Sequence, residues 1–281
     1  MADPLLSVFD HDTAVSLEQE SGAERLFTAE VSPDWRAGRG PHGGYLAAIL
    51  LRALTETVAD AARAPRSLTI HYPRAPDPGP VSIHTVLERT GRSLSTLSAR
   101  MERDGSLCAL ALAAFSVPWT APDIAEMPIP AVAPPDPARE AGTMRAAGAP
   151  AFTRHLVFQQ RVGDVPFSGS ERPLEVAGWL GLAEQRPIDP LSLAFFCDAL
   201  FPPVLVRLAQ PAVCPTVDLT VHFRAAPGTA PADPAELCFA RFSSGAVHEG
   251  FFEEDGVIWA PDGTLLAQSR QLAILMPLKG G

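Results

Sequence analysis

The chain has 281 residues, 47% hydrophobic and 19% charged, with a net charge of −10. That apolar content supports one large domain or two of ordinary size, and the acidic balance excludes the basic stripe that a nucleic-acid or anionic-membrane surface requires. The only lysine is Lys279 in the tail, so no Schiff-base or Walker-type lysine chemistry is expected in the folded body.

The opening MADPLLSVFDHD lacks a basic stretch followed by an apolar one, and runs such as LCALALAAF are too short to cross a bilayer, so a cytoplasmic protein is expected. Residues 1–25 read as a partly acidic lead-in with VSLEQE as a helical candidate, and LFTAEVSPDW (26–35) reads as a first strand. Pro41-His42-Gly43-Gly44-Tyr45 then opens LAAILLRALTETVADAARA, whose helix formers and wide apolar circumference predict a buried helix. The paired glycines either let the backbone approach a ligand, with free helix-start amides attracting negative charge, or only permit the turn. Strands follow at 67–75 and 81–90, and then a hairpin turning at Asp104-Gly105. Residues 118–150 are dense in proline and read as a linker. Beyond it come strands at 151–163 and 174–184, an apolar helix from Leu191 to Phe201, and strands at 216–225, 235–244, 246–260 and 265–276.

The second half repeats the order of the first, and it repeats letters too. Ser67-Leu-Thr-Ile-His parallels Asp218-Leu-Thr-Val-His, and the DGSLCA beginning at Asp104 parallels the DGTLLA beginning at Asp262. The expectation is a duplicated α+β unit, each copy a sheet wrapped on one apolar helix, with an N-terminal domain over 1–117, a Pro-rich linker over 118–150 and a C-terminal domain over 151–281.

Three polar residues of the second copy stand out. Asp198 is a lone carboxylate in the run LSLAFFCDALF, where burial is costly without a partner. Thr216 stands at the mouth of the strand TVDLTVHF. Gln271 shares a face with Leu265, Ala267, Ser269, Ala273 and Leu275, whereas the sister face reads Leu107, Ala109, Ala111, Ala113 and Phe115. Gapless alignment of the two helices sets Arg52 opposite Asp198. Cys108, Cys197, Cys214 and Cys238 form no CxxC pair and read as reduced core thiols, and no metal site is expected. There is no GxSxG, and His248-Glu249 is not followed by the second histidine of HExxH. His71, His84, His155 and His222 lie in predicted strands and read as structural.

Through GPHGGYLAAIL, RSLSTLSARMERDG, CPTVDLTVHF and DGTLLAQSRQLA the chain resembles the bacterial acyl-CoA thioesterase II family, above all its actinobacterial thioesterase-like members. The resemblance implies a double hotdog fold and hydrolysis of an acyl-CoA, with Asp198, Thr216 and Gln271 binding the attacking water and no cofactor besides the coenzyme A thioester substrate. Gly43, Gly44 and Tyr45 are expected to supply backbone amides to the oxyanion. His42, standing where an apolar residue is familiar, is expected in the substrate pocket or as an extra proton carrier. Leu219 replaces a familiar histidine. Arg74, Arg92 and Arg224 are candidate contacts for coenzyme A phosphates. A hotdog hydratase or dehydratase and a non-catalytic acyl-CoA binding protein stand as alternatives. Exposed sheet edges suggest a homodimer or higher homo-oligomer.

Overall fold

The computed structural model describes residues 7–124, 126–138, 149–224, 233 and 236–278; Lys279 lies outside them, as do parts of the Pro-rich segment and of the strand ends expected at 225 and 235. A short helix α1 (Val8–Asp12) precedes strands β1 (Ser16–Ser21) and β2 (Glu24–Val31). The long helix α2 (Gly43–Val58) follows, and then β3 (Ala64–His71), β4 (Gly79–Thr90), β5 (Leu94–Arg103) and β6 (Ser106–Ser116). The second half holds β7 (Leu156–Val162), β8 (Glu175–Leu182), α3 (Pro190–Phe196), β9 (Thr216–Phe223), β10 (Cys238–Ser243), β11 (Phe251–Trp259) and β12 (Leu265–Ile274).

These strands form one sheet in the order β1-β2-β4-β5-β6-β3-β9-β12-β11-β10-β8-β7. The order is symmetric about the β3–β9 pair. There the repeated motifs meet antiparallel, Ile70 against Leu219, Thr69 against Thr220 and Leu68 against Val221, and the hydroxyls of Thr69 and Thr220 lie 3.0 Å apart. Thr69 and Thr220, 151 apart in sequence, are thus partners at the centre of the pair. Both helices lie in the concavity. Nearly all of α2 from Gly44 to Leu54 is buried, as expected of a helix apolar around most of its circumference, and it packs on α3. The hairpin at Asp104-Gly105 has positive φ at both positions (49° and 73°), the geometry that an Asp-Gly turn favours.

Three local expectations change. VSLEQE is not helical: residues 16–21 form an exposed edge strand, because pairing with β2 outweighs its weak helical preference. The stretch from Ala151 opens as a 3₁₀ turn (Ala151–His155) before β7, placing the ring of Phe152 against His42 and that of His155 against Trp35. The helix expected to run from Leu191 to Phe201 stops at Phe196. Asp189 and Ser192 cap its start reciprocally, but at its end the amide of Asp198 closes a tight turn to Phe195 O (3.2 Å), and Pro202 and Pro203 bar continuation.

The described part of the Pro-rich segment lies across the outer face of the second-copy sheet. Ile129 and Val132 cover Val157, Ala177, Trp179, Leu237, Phe239 and Trp259. Two indole N–H groups find acceptors there, Trp179 Nε1 on Ala133 O and Trp259 Nε1 on Met127 O, both at 2.8 Å. Gln159 brackets Asp136 by accepting from its amide at 2.6 Å and donating to its carbonyl at 3.0 Å. Proline carries no N–H to satisfy, so such a strap can offer carbonyls to an apolar face without leaving donors stranded. Trp179→Phe is expected to lower unfolding stability by about 1 kcal/mol in urea titration and to speed proteolysis within the strap; an unchanged midpoint and cleavage rate would count against this anchoring.

Candidate active site

The site begins where α2 starts. His42 is the N-cap, with Nδ1 accepting from the Tyr45 amide at 3.3 Å, so its Nε2 carries the proton and donates to the carbonyl of Asp198 at 2.8 Å. Burial holds this imidazole below its ordinary pKa, though the nearby charge of Asp198 opposes the shift. His42 is thus a buried brace between the copies, and its ring nitrogens are committed to the cap and to a backbone carbonyl.

Asp198 reaches across the contact between copies. Its Oδ2 accepts from the Gly44 amide at 2.8 Å and lies 3.6 Å from His42 Nε2, and the side chain is only 11% exposed. The positive end of a long helix is a favourable place for a half-buried carboxylate. Oδ1 has no hydrogen-bond partner among the described residues. Both glycines are demanded by this close approach. A Cβ on Gly43 would stand 2.8 Å from Asp198 Oδ2, and one on Gly44 would stand 2.6 Å from Phe195 O and 3.1 Å from Asp198 Cβ. The backbone that approaches so closely belongs to the sister copy, a third purpose beyond the two read from the sequence.

Thr216 and Gln271 meet directly. Thr216 Oγ1 donates to Gln271 Oε1 at 2.9 Å. Thr216 faces Ala273 and Leu219 faces Gln271, and a bulge between Thr216 and Asp218 puts both side chains on the inner face. Along β12 the alternation holds, with Ala267, Ser269, Gln271 and Ala273 buried. Ser269 contacts Cys197 O at 3.4 Å, so Gln271, about 7 Å further along the same face, lies at the same end of the molecule as Asp198. No hydrogen bond joins Asp198 directly to Thr216 or Gln271 among the described residues.

Two participants escaped the sequence reading. Glu254, buried on β11 opposite Gln271, accepts from Gln271 Nε2 at 2.6 Å. The alternation of Phe252, Glu254, Gly256 and Ile258 was the signal for it: with Phe252 and Ile258 turned inward, Glu254 must follow. Tyr72, just past β3, donates its hydroxyl to Gly43 O at 3.0 Å, and burial together with the Asp198 charge pushes its pKa up.

Several expected contributors are placed elsewhere. Tyr45 is core: its ring stacks on Trp35 at 5.2 Å and its hydroxyl donates to Asp12 O at 2.7 Å. The amides of Gly44 and Tyr45 are engaged by Asp198 and His42, which leaves Gly43 N as the amide of the trio without a partner among the described residues. Arg74 is exposed near Ser106, and Arg224 donates to Gln268 Oε1 at 2.6 Å. Arg92 sits in the β4–β5 turn, where its carbonyl accepts from Arg63 at 3.3 Å, at the opposite end of α2 from Gly43. The three arginines do not form a cluster. Arg52, the counterpart of Asp198, pairs with Asp10 at 2.9 Å, and Arg186 joins Asp10 to Asp189. Among the described residues no group of three or more His, Cys, Asp and Glu side chains could hold a metal, all four cysteines are free, and no helix is long and apolar enough to cross a membrane.

Two helix-and-sheet copies fused through one continuous sheet define a double hotdog protein. The model of an acyl-CoA thioesterase N-terminal domain matches residues 31–116, and that of an acyl-CoA thioesterase C-terminal domain matches residues 128–275. The chain belongs to the acyl-CoA thioesterase family. Among solved structures it is similar to a hotdog-fold protein of unknown function from Alicyclobacillus acidocaldarius (26% identity, TM-score 0.84, covering 99% of this chain and 100% of that one). It is also similar to a provisionally named thioesterase II from Thermobifida fusca (26% identity, TM-score 0.78, covering 96% and 98%). An uncharacterized protein of Mycobacterium tuberculosis is 23% identical over 274 residues, covering 89% of this chain and 91% of its own length.

Gly44→Ala forces α2 and α3 apart and is expected to cost about 1–3 kcal/mol in urea unfolding; wild-type stability would show that the contact has slack. Glu254 supplies a pH test. Burial first, and then the Asp198 and Asp255 charges, push its carboxyl from an ordinary 4.5 up to about 8. The unfolded chain releases this proton near 4.5 and the folded one near 8, so between those values the native state binds more protons and stability falls as pH rises. Glu254→Gln is therefore expected to flatten the loss of melting temperature between about pH 5 and about pH 8, and an unchanged slope would place the titration elsewhere.

Proposed function

We propose that the protein hydrolyses acyl-CoA thioesters, with Asp198 as general base and Thr216 and Gln271 holding the attacking water. What carries this reading is the meeting of Thr216 and Gln271 on the inner face of a strand whose Ser269 reaches Cys197 O beside Asp198, with Asp198 Oδ1 without a partner among the described residues. The hydrogen-bond inventory suits one water: it donates to Asp198 Oδ1 and to a lone pair of Thr216 Oγ1, and it accepts the second N–H of Gln271 Nε2. As its oxygen attacks the thioester carbon, its proton passes to Asp198. The oxyanion is assigned to the Gly43 amide, at the positive end of α2. The intermediate then collapses with cleavage of the C–S bond, and the departing coenzyme A sulfur takes the proton back from Asp198. Family membership supports the substrate class. Because Gly43 and Asp198 come from different copies, the site depends on both.

The test is release of free coenzyme A from short, medium, long and aromatic acyl-CoAs by the wild type and by Asp198→Asn. The variant is expected to lose at least about 100-fold in kcat while its circular dichroism and unfolding midpoint persist. Equal rates would remove Asp198 from the mechanism. Binding of acyl-CoA by the wild type without turnover on any of them would replace hydrolysis by a carrier function.

A further inference from the structure

Resting on the hydrolytic reading above, we propose that Glu254 is a positioning residue of the site: its carboxyl, fixed behind Gln271, sets which way that amide faces and thereby which atoms remain to hold the attacking water. Glu254 and Gln271 are direct cross-strand partners on β11 and β12. The repeat supplies an internal control. At the matching place in the first copy the partners are Leu97 and Ala113, both buried. An aliphatic pair therefore satisfies the fold at this position, and a carboxyl–amide pair in its stead needs a reason beyond packing, since burying a carboxyl is costly.

The geometry supplies that reason. An amide has nearly the same shape whichever way it faces, so its neighbours must decide. Thr216 cannot, because a hydroxyl donates or accepts as required. Glu254 can, since its Oε1 accepts from Gln271 Nε2 at 2.6 Å and Gln271 is its one hydrogen-bond partner among the described residues, Oε2 having none. With nitrogen toward Glu254, Gln271 Oε1 takes the Thr216 proton, leaving the Thr216 lone pair and the second amide N–H for water. Reversing the amide would turn oxygen against oxygen at Glu254, and Thr216 would spend its lone pair on the amide. The ionised carboxylate can only accept and so fixes the amide, whereas the protonated carboxyl can also donate to an amide oxygen, so the hold on Gln271 tightens as Glu254 loses its proton. The titratable groups that act on Glu254 are Asp198 beyond α3, Asp255 on its own strand and Cys214 ahead of β9.

Two substitutions and one spectrum test this. Glu254→Leu, which imitates the sister copy, removes the acceptor and is expected to lower kcat about 30-fold with KM within about threefold of wild type. Glu254→Gln keeps an acceptor oxygen but adds a donor that tolerates the reversed amide, and is expected to recover only part of that loss, with a kcat between those of Glu254→Leu and wild type. The side-chain NH₂ signals of Gln271 in nitrogen-15 NMR are expected to shift with pH in the wild type and to lose that titration in Glu254→Gln. Equal impairment of both variants, or a kcat for Glu254→Leu equal to wild type, would overturn the positioning role. Should the wild type hydrolyse no thioester, the hydrolytic reading falls by itself. The amide signals then decide whether Glu254 governs Gln271: signals indifferent to pH, or unchanged in Glu254→Gln, refute it.

Discussion

The molecule turns on one close contact, that between the first turn of α2 and the end of α3. Gly43 and Gly44 carry no side chains because Asp198 Oδ2 and Phe195 O stand where a Cβ would be. That closeness lets the Gly44 amide donate to a carboxylate belonging to the other copy. The same contact explains the N-cap. A serine or aspartate would cap the helix as well, but only a longer ring can accept from Tyr45 with one nitrogen and reach the Asp198 carbonyl with the other. The shortness of α3 fits the same contact, since a helix continued past Phe196 would carry Asp198 away from the Gly44 amide it meets.

Duplication produced a nearly two-fold frame that carries one candidate site among the described residues. The axis passes between Thr69 and Thr220, the centres of the repeated motif, so the sheet has no seam at the join. Away from the axis the copies have diverged by charge. At the start of α2 lies the site. At the matching end, where α3 begins, Arg52 and Arg186 are tied to Asp10 and Asp189, and Glu184 caps the amides of Val8 and Phe9 at the start of α1. Burial alone would raise the pKa of Asp10, but the two guanidinium groups hold it well below the usual carboxylate range. The N-terminal helix α1 thus packs at the start of α3, as the 3₁₀ turn before β7 packs at the start of α2.

The outer face of the second-copy sheet illustrates how a composition-level reading differs from a structural one. Proline density fits the lack of helix and strand among the segment's described residues, but it does not say whether such a segment floats or docks. Here Trp179 and Trp259 each need an acceptor for an indole proton, and the extended chain supplies it.

Much was legible in the chain because duplication and strand alternation leave periodic traces. The buried α2, the Asp-Gly hairpin, the two-copy order and the inward position of Gln271 follow from local pattern, and the hotdog architecture from the family resemblance. The reading of Asp198 as the lone carboxylate of an apolar run was a statement about composition, and it survives even though the residue lies beyond the helix. Only the tertiary structure decided what those residues meet. That the paired glycines face Asp198, that His42 spans the copies, that Tyr45 belongs to the core, and that Glu254 stands behind Gln271 all depend on distances between segments far apart in sequence. Periodicity reports which face of an element is buried. It carries no information about which partner occupies the other side, because that is set by how the two halves of the sheet and the helices α2 and α3 close on one another.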